Sequence, residues 1–538
     1  MLQAILNGLL STFREQIAGS IWSLTSLCIL TICFYIFWRQ WTFFFYPLFN
    51  PQKPAEVPYW IPFLGHSLAM FGDTASLIRQ SVNHFQRSYV PFSIQVLGQR
   101  LYVVSSPEDV ATVYKNPAIF SWDEYMDLLL KAFGLTPEAR RLSWWKPSPG
   151  EMNDPVGKIL NPQHKCLVHV VEDIYKTQLL PGEQLDLIMQ SVVGKINFSL
   201  SWEQLHGPFI LQSQPTSRRL SVKLLCRILL TDATTRTMFG DLIFRYEPRV
   251  IEYLMVLNDY SWAYIFEYPT IFTPKLNEAR KALTEALRSY LRTPECQRVG
   301  EVWSIRRIIQ SQEYFGIDES SRIAMLLMVW WAAHSNTVNA SFWLLSYVIY
   351  DRSLLQALRE ETRPAFQNST MDVDYLRTHC PLLTSSYYEM LRQVNGAMSI
   401  RKVSQDVHLS GKLLKAGNAV LIPYRELHFN ENVWGDSSRE FCADRFLRQP
   451  KLASHSAYRP FGGGVSYCPG RHLAMAEVCG FVATVIQRFE IELPPTAEGN
   501  MQSFPEIDRL RPSTGITSSM EGSDLFVDVK PRKEEEWV

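Results

Sequence analysis

The chain lacks net charge, a regular cysteine pattern and any internal repeat. Lys plus Arg and Asp plus Glu each number 53 in 538 residues, so no global basic field is available for a nucleic-acid partner. The nine cysteines show neither CxxC nor CxxxC spacing, which argues against a disulfide framework and against a structural zinc site. No G-x-G-x-x-G dinucleotide fingerprint is present, so reducing equivalents, if used, must come from another protein. The absence of a repeat excludes solenoid and propeller architectures.

Charge is also missing from Ile17 to Trp38. Such a run is long enough to cross a bilayer, which takes about 20 apolar residues. It lacks the shorter apolar core and small-residue cleavage site of a signal peptide. Arg39 and the aromatic group Trp41 to Tyr46 fit an interfacial girdle just past the span. Pro51, Pro54, Pro58 and Pro62 follow, and repeated fixed φ angles make a stiff connector. The reading is a short N-terminal segment at 1–16, a single-pass transmembrane anchor at 17–38, a linker with a proline-rich hinge at 39–57, and one large domain at 58–538.

What is present points to helices. Ser321 to Asp351 contains no proline or glycine and is the longest helical candidate. Further helices are predicted over the segments beginning at Pro107 and Pro381 and over Arg471 to Phe489, with short β segments after Gly98 and between Ile400 and Ile422. The expected fold is therefore mainly α with a small β subdomain, and not a strict βαβ alternation. The aromatic content, 30 Phe, 23 Tyr and 15 Trp, suits a wide apolar core or pocket.

The segment YRPFGGGVSYCPGRHLAMAEV carries the chemistry. Phe461, Gly464, Cys468 and Gly470 stand in the spacing FxxGxxxCxG, which arises by chance in on the order of one in a thousand chains of this length. A thiolate that ligates iron must be shielded from water. Flanking glycines let the backbone approach a flat macrocycle, and their N–H groups can donate to the sulfur. A helix starting at Pro469 and Gly470 would aim its N-terminal dipole at the anion. This loop resembles that of the cytochrome P450 family, with Cys468 in the place of the axial haem ligand.

The resemblance covers nearly the whole chain. Glu389 and Arg392 form ExxR, a pattern that alone means little, since about two such pairs are expected in a chain of this size. It lies upstream of FCADRF (Phe441 to Phe446), which is similar to the family's FxPxRF with Ala443 in place of proline. The resemblance implies a buried ion triad of Glu389, Arg392 and Arg445 that braces the haem loop. It also implies that Arg401 meets a haem propionate, a role suited to a planar fork donor. Ser466 stands where the family usually offers Arg or His to a propionate. In the long helix, the positions like the family's oxygen-binding motif are Ala333 to Thr337. Ala333 would let the helix pass close over the haem, Thr337 would offer its hydroxyl to dioxygen, and Asn336 replaces the usual acid. This Asn-Thr version most resembles the branch of steroid 7α- and 12α-hydroxylases and prostacyclin synthase, while the cysteine loop is close to fungal members that tailor natural products.

The resemblance implies a haem b monooxygenase in the endoplasmic reticulum membrane with a cytosolic catalytic domain. Electrons would come from an NADPH-cytochrome reductase or a b-type cytochrome. The substrate would be a lipophilic small molecule such as a steroid, terpenoid or polyketide of secondary metabolism. The alternative is a haem-thiolate isomerase or dehydratase that rearranges its substrate without net O2 use.

Overall fold

From Thr25 on, the apolar N-terminal run is a helix that continues past the end of its uncharged stretch at Trp38. The computed structural model describes residues 25–532 apart from 149, 266–269, 368–369, 497–498 and 511–512. The expected segment 1–16 and the first part of the anchor, 17–24, lie outside these residues. Helix α1 (Thr25–Phe49) is apolar and long enough to cross a membrane, and none of its most apolar window is buried in the protein. It passes Trp38, the expected end of the anchor, because nothing between Arg39 and Tyr46 breaks a helix. Its only proline, Pro47, removes one backbone donor and crowds the carbonyl four residues back. That carbonyl, of Phe43, falls inside a π-helical turn at Trp41–Phe45, where the widened backbone absorbs the conflict. The expected aromatic girdle is thus part of the helix, and the linker is correspondingly short.

The hinge joins the domain earlier than Pro58. Strand β1 (Ala55–Glu56) pairs in parallel with β2 (Phe92–Val96). The Arg39 guanidinium donates to the Tyr59 carbonyl and stacks 4.3 Å from the Trp60 ring. The base of α1 is therefore tied to the hinge by polar and aromatic contacts.

The main sheet has the order β1-β2-β3-β6-β5-β4, with β3 at Gln99–Val103, β4 at Phe120–Ser121, β5 at Met398–Val403 and β6 at Ala419–Pro423. Val96 pairs with Gln99 across a two-residue turn in which Leu97 and Gly98 both have positive φ, the geometry whose twist suits a hairpin. Strands from both ends of the chain meet where β6 runs parallel to β3 and antiparallel to β5.

Helices make up most of the rest. Those that build the site are α2 (Pro107–Lys115), α3 (Asp123–Phe133), α4 (Val222–Phe239), α5 (Glu319–Tyr350), α6 (Pro381–Val394) and α7 (Arg471–Arg488). Helix α2 is capped by Ser106, whose side chain accepts from Asp109 N–H, and α5 by Asp318, which accepts from Ser321 N–H; each satisfies a backbone donor the helix leaves free. Helix α5 threads two separate cores. Ile323 to Trp331 belongs to one apolar cluster with the end of α3, and Val338 to Ile349 to another with α4, α6 and α7. Residues 332–337 give neither cluster a buried apolar side chain, and of them only Ala333 packs partly against the first. All nine cysteines are free thiols.

Candidate functional site

The cysteine loop is held from within and from below. Cys468 N–H donates to the Phe461 carbonyl at 3.1 Å, closing the loop on itself, and Phe461 packs against the main core. Gly464 sits at φ 63°, a region that L side chains rarely adopt. A Cβ there would lie 2.8 Å from the Tyr114 carbonyl oxygen, and one at Gly463 would lie 2.9 Å from the Tyr114 ring. On the protein side, the close approach these two glycines permit is to α2. Gly470 starts α7, and a Cβ there would make only an ordinary 3.8 Å contact with Cys468 Sγ. Burial pushes the Cys468 thiol up, while the Gly470 N–H and the Arg471 cation pull it back.

The three predicted triad residues come together. Arg392 makes a two-pronged pair with Glu389, both bonds at 2.8 Å, and Arg445 Nε lies 3.0 Å from the same carboxylate. Cys442 N–H adds a fourth donor at 3.1 Å. The rest of the Arg392 fork donates to the carbonyls of His428, Ser438 and Glu440. His428 connects this network to the cysteine loop: Nδ1 donates to the Arg392 carbonyl at 3.2 Å and Nε2 accepts from Arg459 N–H at 3.0 Å. Burial, with Arg392 nearby, pushes His428 down to about 3, so it stays neutral in this tautomer.

Arg401 is a buried cation with no carboxylate beside it among the described residues. Its guanidinium donates to Ser399 Oγ at 2.6 Å, to the Ile400 carbonyl at 2.8 Å and to Ser466 Oγ, and stacks 4.6 Å from the Trp122 ring and 5.3 Å from that of Tyr114. Burial pulls its pKa below the usual arginine value. The Ser466 hydroxyl, where the sequence departs from the family, orients this arginine. A charge buried this way is costly unless an anion completes it.

Helix α5 does not present its predicted residues alike. Asn336 and Ala332, one turn apart, are exposed although the helix around them is buried, and Ala333 is half-buried. The Asn336 Oδ1 accepts from Ile516 N–H at 2.8 Å, so the amide is oriented with its Nδ2 donor free of that bond. Thr337 points elsewhere: it is buried, its hydroxyl donates to the His334 carbonyl at 3.3 Å, and it sits beside Glu477 of α7. Thr337 therefore does not share the open face with Asn336, and Ala332 is more open than Ala333. Sequence reasoning missed Ala332, though its place one turn before Asn336 was the available signal.

The gap at 332–337 is closed by parts that also hold the cysteine loop. Gly396 N–H donates to the Gly515 carbonyl, next to the Ile516 that fixes Asn336, and Asn395 Nδ2 donates to the Pro460 carbonyl at 3.0 Å. A thiol at a helix start, a buried cation wanting an anion, and a break in the packing of α5 suit a flat, carboxylate-bearing cofactor held through sulfur.

Comparison with known proteins agrees. The family profile described as Cytochrome P450 matches residues 234–517. The chain is 26% identical over 502 residues to cytochrome P450 monooxygenase nodJ of Hypoxylon pulicicidum, covering 87% of this chain and 89% of that one. It is 23% identical over 471 residues to cytochrome P450 monooxygenase poxD of Penicillium oxalicum, covering 85% and 91%. Cytochrome P450 7B1 of Mus musculus is 22% identical over 478 residues, covering 82% and 85%. With a profile match over more than half its length, the chain belongs to the cytochrome P450 family and is a haem-thiolate monooxygenase.

Proposed function

We propose that the chain oxidises a lipophilic small molecule (a steroid, terpenoid, polyketide or similar scaffold of secondary metabolism) at the endoplasmic reticulum membrane, using O2 and electrons from an NADPH-dependent reductase or a b-type cytochrome. The observation that carries this reading is the open face of α5. Ala332 and Ala333 leave room, and Asn336 brings one oriented donor to an otherwise apolar strip. A lipophilic substrate also fits the exposed apolar residues near the hinge, among them Trp60, Phe63 and Leu68, which continue from Leu48 and Phe49 of α1.

In this reading Cys468 is the axial thiolate. The Gly470 N–H tempers its basicity, and the N-terminal end of α7 favours the anion. Arg401, held by Ser399 and Ser466, binds a propionate. Haem, when bound, supplies the electron-transfer and O2 chemistry that side chains lack. Asn336 cannot titrate, so its part is to hold a hydrogen bond to a polar atom or an ordered water in the cavity. Thr337, turned from that face, is not assigned the dioxygen contact that the family resemblance implies.

The test is turnover of purified protein with reductase on a panel of lipophilic substrates under ¹⁸O2. Product should need NADPH and O2 and carry the label. Asn336→Ala should lower product per O2 by about tenfold, the effect of losing one hydrogen bond worth about 1–1.5 kcal/mol, with peroxide released instead. Asn336→Asp can keep the bond to Ile516 but, when ionised, loses the donor, so it should behave like Asn336→Ala. An amide donor aimed at the cavity would equally suit a substrate oxygen in a rearrangement. Efficient product formation under argon, without reductant, would establish that second reading and overturn the first.

The anchor gives a separate prediction. A chain starting at Asn50 keeps β1 and every element of the site, so it should bind haem and leave the membrane fraction at milder extraction than the full chain. Loss of haem binding on this truncation would place α1 inside the folded domain.

A further inference from the structure

A second arginine lacks a counter-ion, and it lines a cavity outside the site described so far. Arg425 lies in the short helix Tyr424–His428 that follows β6 and is half-buried. Among the described residues it has neither an ion pair nor a hydrogen bond; its guanidinium rests 4.7 Å from the Phe429 ring. Arg439 stands 5.3 Å from the same ring, so two cations share one aromatic group. The cavity is about 50 Å3, where about 10–15 Å3 suffices for one water. It lies between the helix Thr74–His84, the start of β5 and the end of β6, with Ile78, Met398 and Ile507 on its apolar side and Arg425 and Arg509 as its cations.

Two carboxylates also line it, Glu426 and Asp508. Asp508 already accepts from the Leu510 N–H at 3.0 Å. Glu426 has the charges of Arg79, Arg87 and Arg439 acting on it as well as that of Arg425. Of these arginines and Arg509, only Arg87 forms an ion pair among the described residues, with Glu431 at 2.6 Å. Positive charge is therefore in excess around the cavity. Burial pulls Arg425 down to about 10, with Arg509 adding to the effect and Glu426 opposing it. A guanidinium offers five donors in a planar fork and no acceptor, a geometry that matches a carboxylate or a phosphate with two parallel bonds. Leu68 and Phe71, exposed in the helix just before Thr74, offer an apolar surface for the body of such a molecule.

We propose that this cavity binds the anionic head, a carboxylate or a phosphate, of an apolar ligand, with Arg425 as its two-pronged partner and Arg509 as a second cation. The site needs no step of the oxidation proposed above, and turnover is not its readout.

The experiment equilibrates full-length holoprotein in phosphatidylcholine nanodiscs with radiolabelled dodecanoate or its methyl ester, with empty nanodiscs as the blank. Arg425→Met should weaken binding of the acid by about tenfold, the effect of losing a hydrogen-bonded charge, and leave the ester unchanged. Arg509→Ala should weaken the acid in the same direction, and its exposed position keeps the test decisive if Arg425→Met fails to load haem. Arg425→Met should unfold at the wild-type temperature or above, because an apolar side chain of similar length replaces a charge that has no partner. Nanodiscs doped with phosphatidate distinguish the source of the head group. A rise in unfolding temperature in the wild type that Arg425→Met lacks, without Arg425-dependent binding of dodecanoate, assigns the cavity to a lipid head group; the reverse assigns it to a small lipophilic acid. Binding of dodecanoate and stabilisation by phosphatidate that are both unchanged in Arg425→Met and Arg509→Ala would overturn the proposal.

Discussion

Cys468→Ala should abolish the strongly red-shifted Soret band that reduced haem-thiolate protein gives with carbon monoxide, while Cys479→Ala keeps it. The two thiols lie eleven residues apart in different settings. Cys479 is buried in the core side of α7, and burial pushes its thiol far above the ordinary range with no donor to offset it, so it has the character of an inert packing group. Burial raises the Cys468 thiol as well, but at the start of α7 the Gly470 N–H and Arg471 oppose that rise. A thiolate changes the electronic character of the iron it binds, so its loss should be all-or-none in the spectrum and not graded. Retention of the red-shifted band in Cys468→Ala would reassign the axial ligand.

Breaking the buried triad should be nearly as severe. Glu389 and Arg392 are both fully buried. Glu389→Ala would leave Arg392 and Arg445 charged and facing only carbonyls and the Ser437 hydroxyl, at a cost of about 3–5 kcal/mol for an uncompensated buried charge. That is a large share of the roughly 5–15 kcal/mol by which a domain is stable. Arg392→Ala should cost as much, since it strips donors from three carbonyls as well as from Glu389. Arg445→Ala should cost less, because Arg392 still pairs the carboxylate. Haem content and thermal unfolding of the three variants check the order. His428→Ala separates bracing from bulk stability, because it removes the link from the Arg392 carbonyl to Arg459 and leaves the charges in place. It should lower haem retention more than it lowers the unfolding temperature. Wild-type haem content in all the triad variants would mean that the network does not support the loop.

What the sequence alone determined was local. The cysteine loop is contiguous, and its glycine pattern is set by backbone geometry, so Gly464 was legible even though Tyr114, the group it makes room for, was not. Helix α6 puts Glu389 and Arg392 on one face by simple i,i+3 spacing, and the absence of proline and glycine marked α5 to within two residues. Only the tertiary structure decided which way α5 turns. A helix buried on nearly all sides has no single apolar stripe, so its sequence cannot say which residue of an Asn-Thr pair meets a cavity. Packing against α4 and α7 answers that by burying Thr337 and leaving Asn336 open. The same holds for Arg401 and Ser466, 65 residues apart in the chain. A lone arginine in a strand reads as a surface charge until long-range contacts bury it without a counter-ion, and that is a property of the assembled fold.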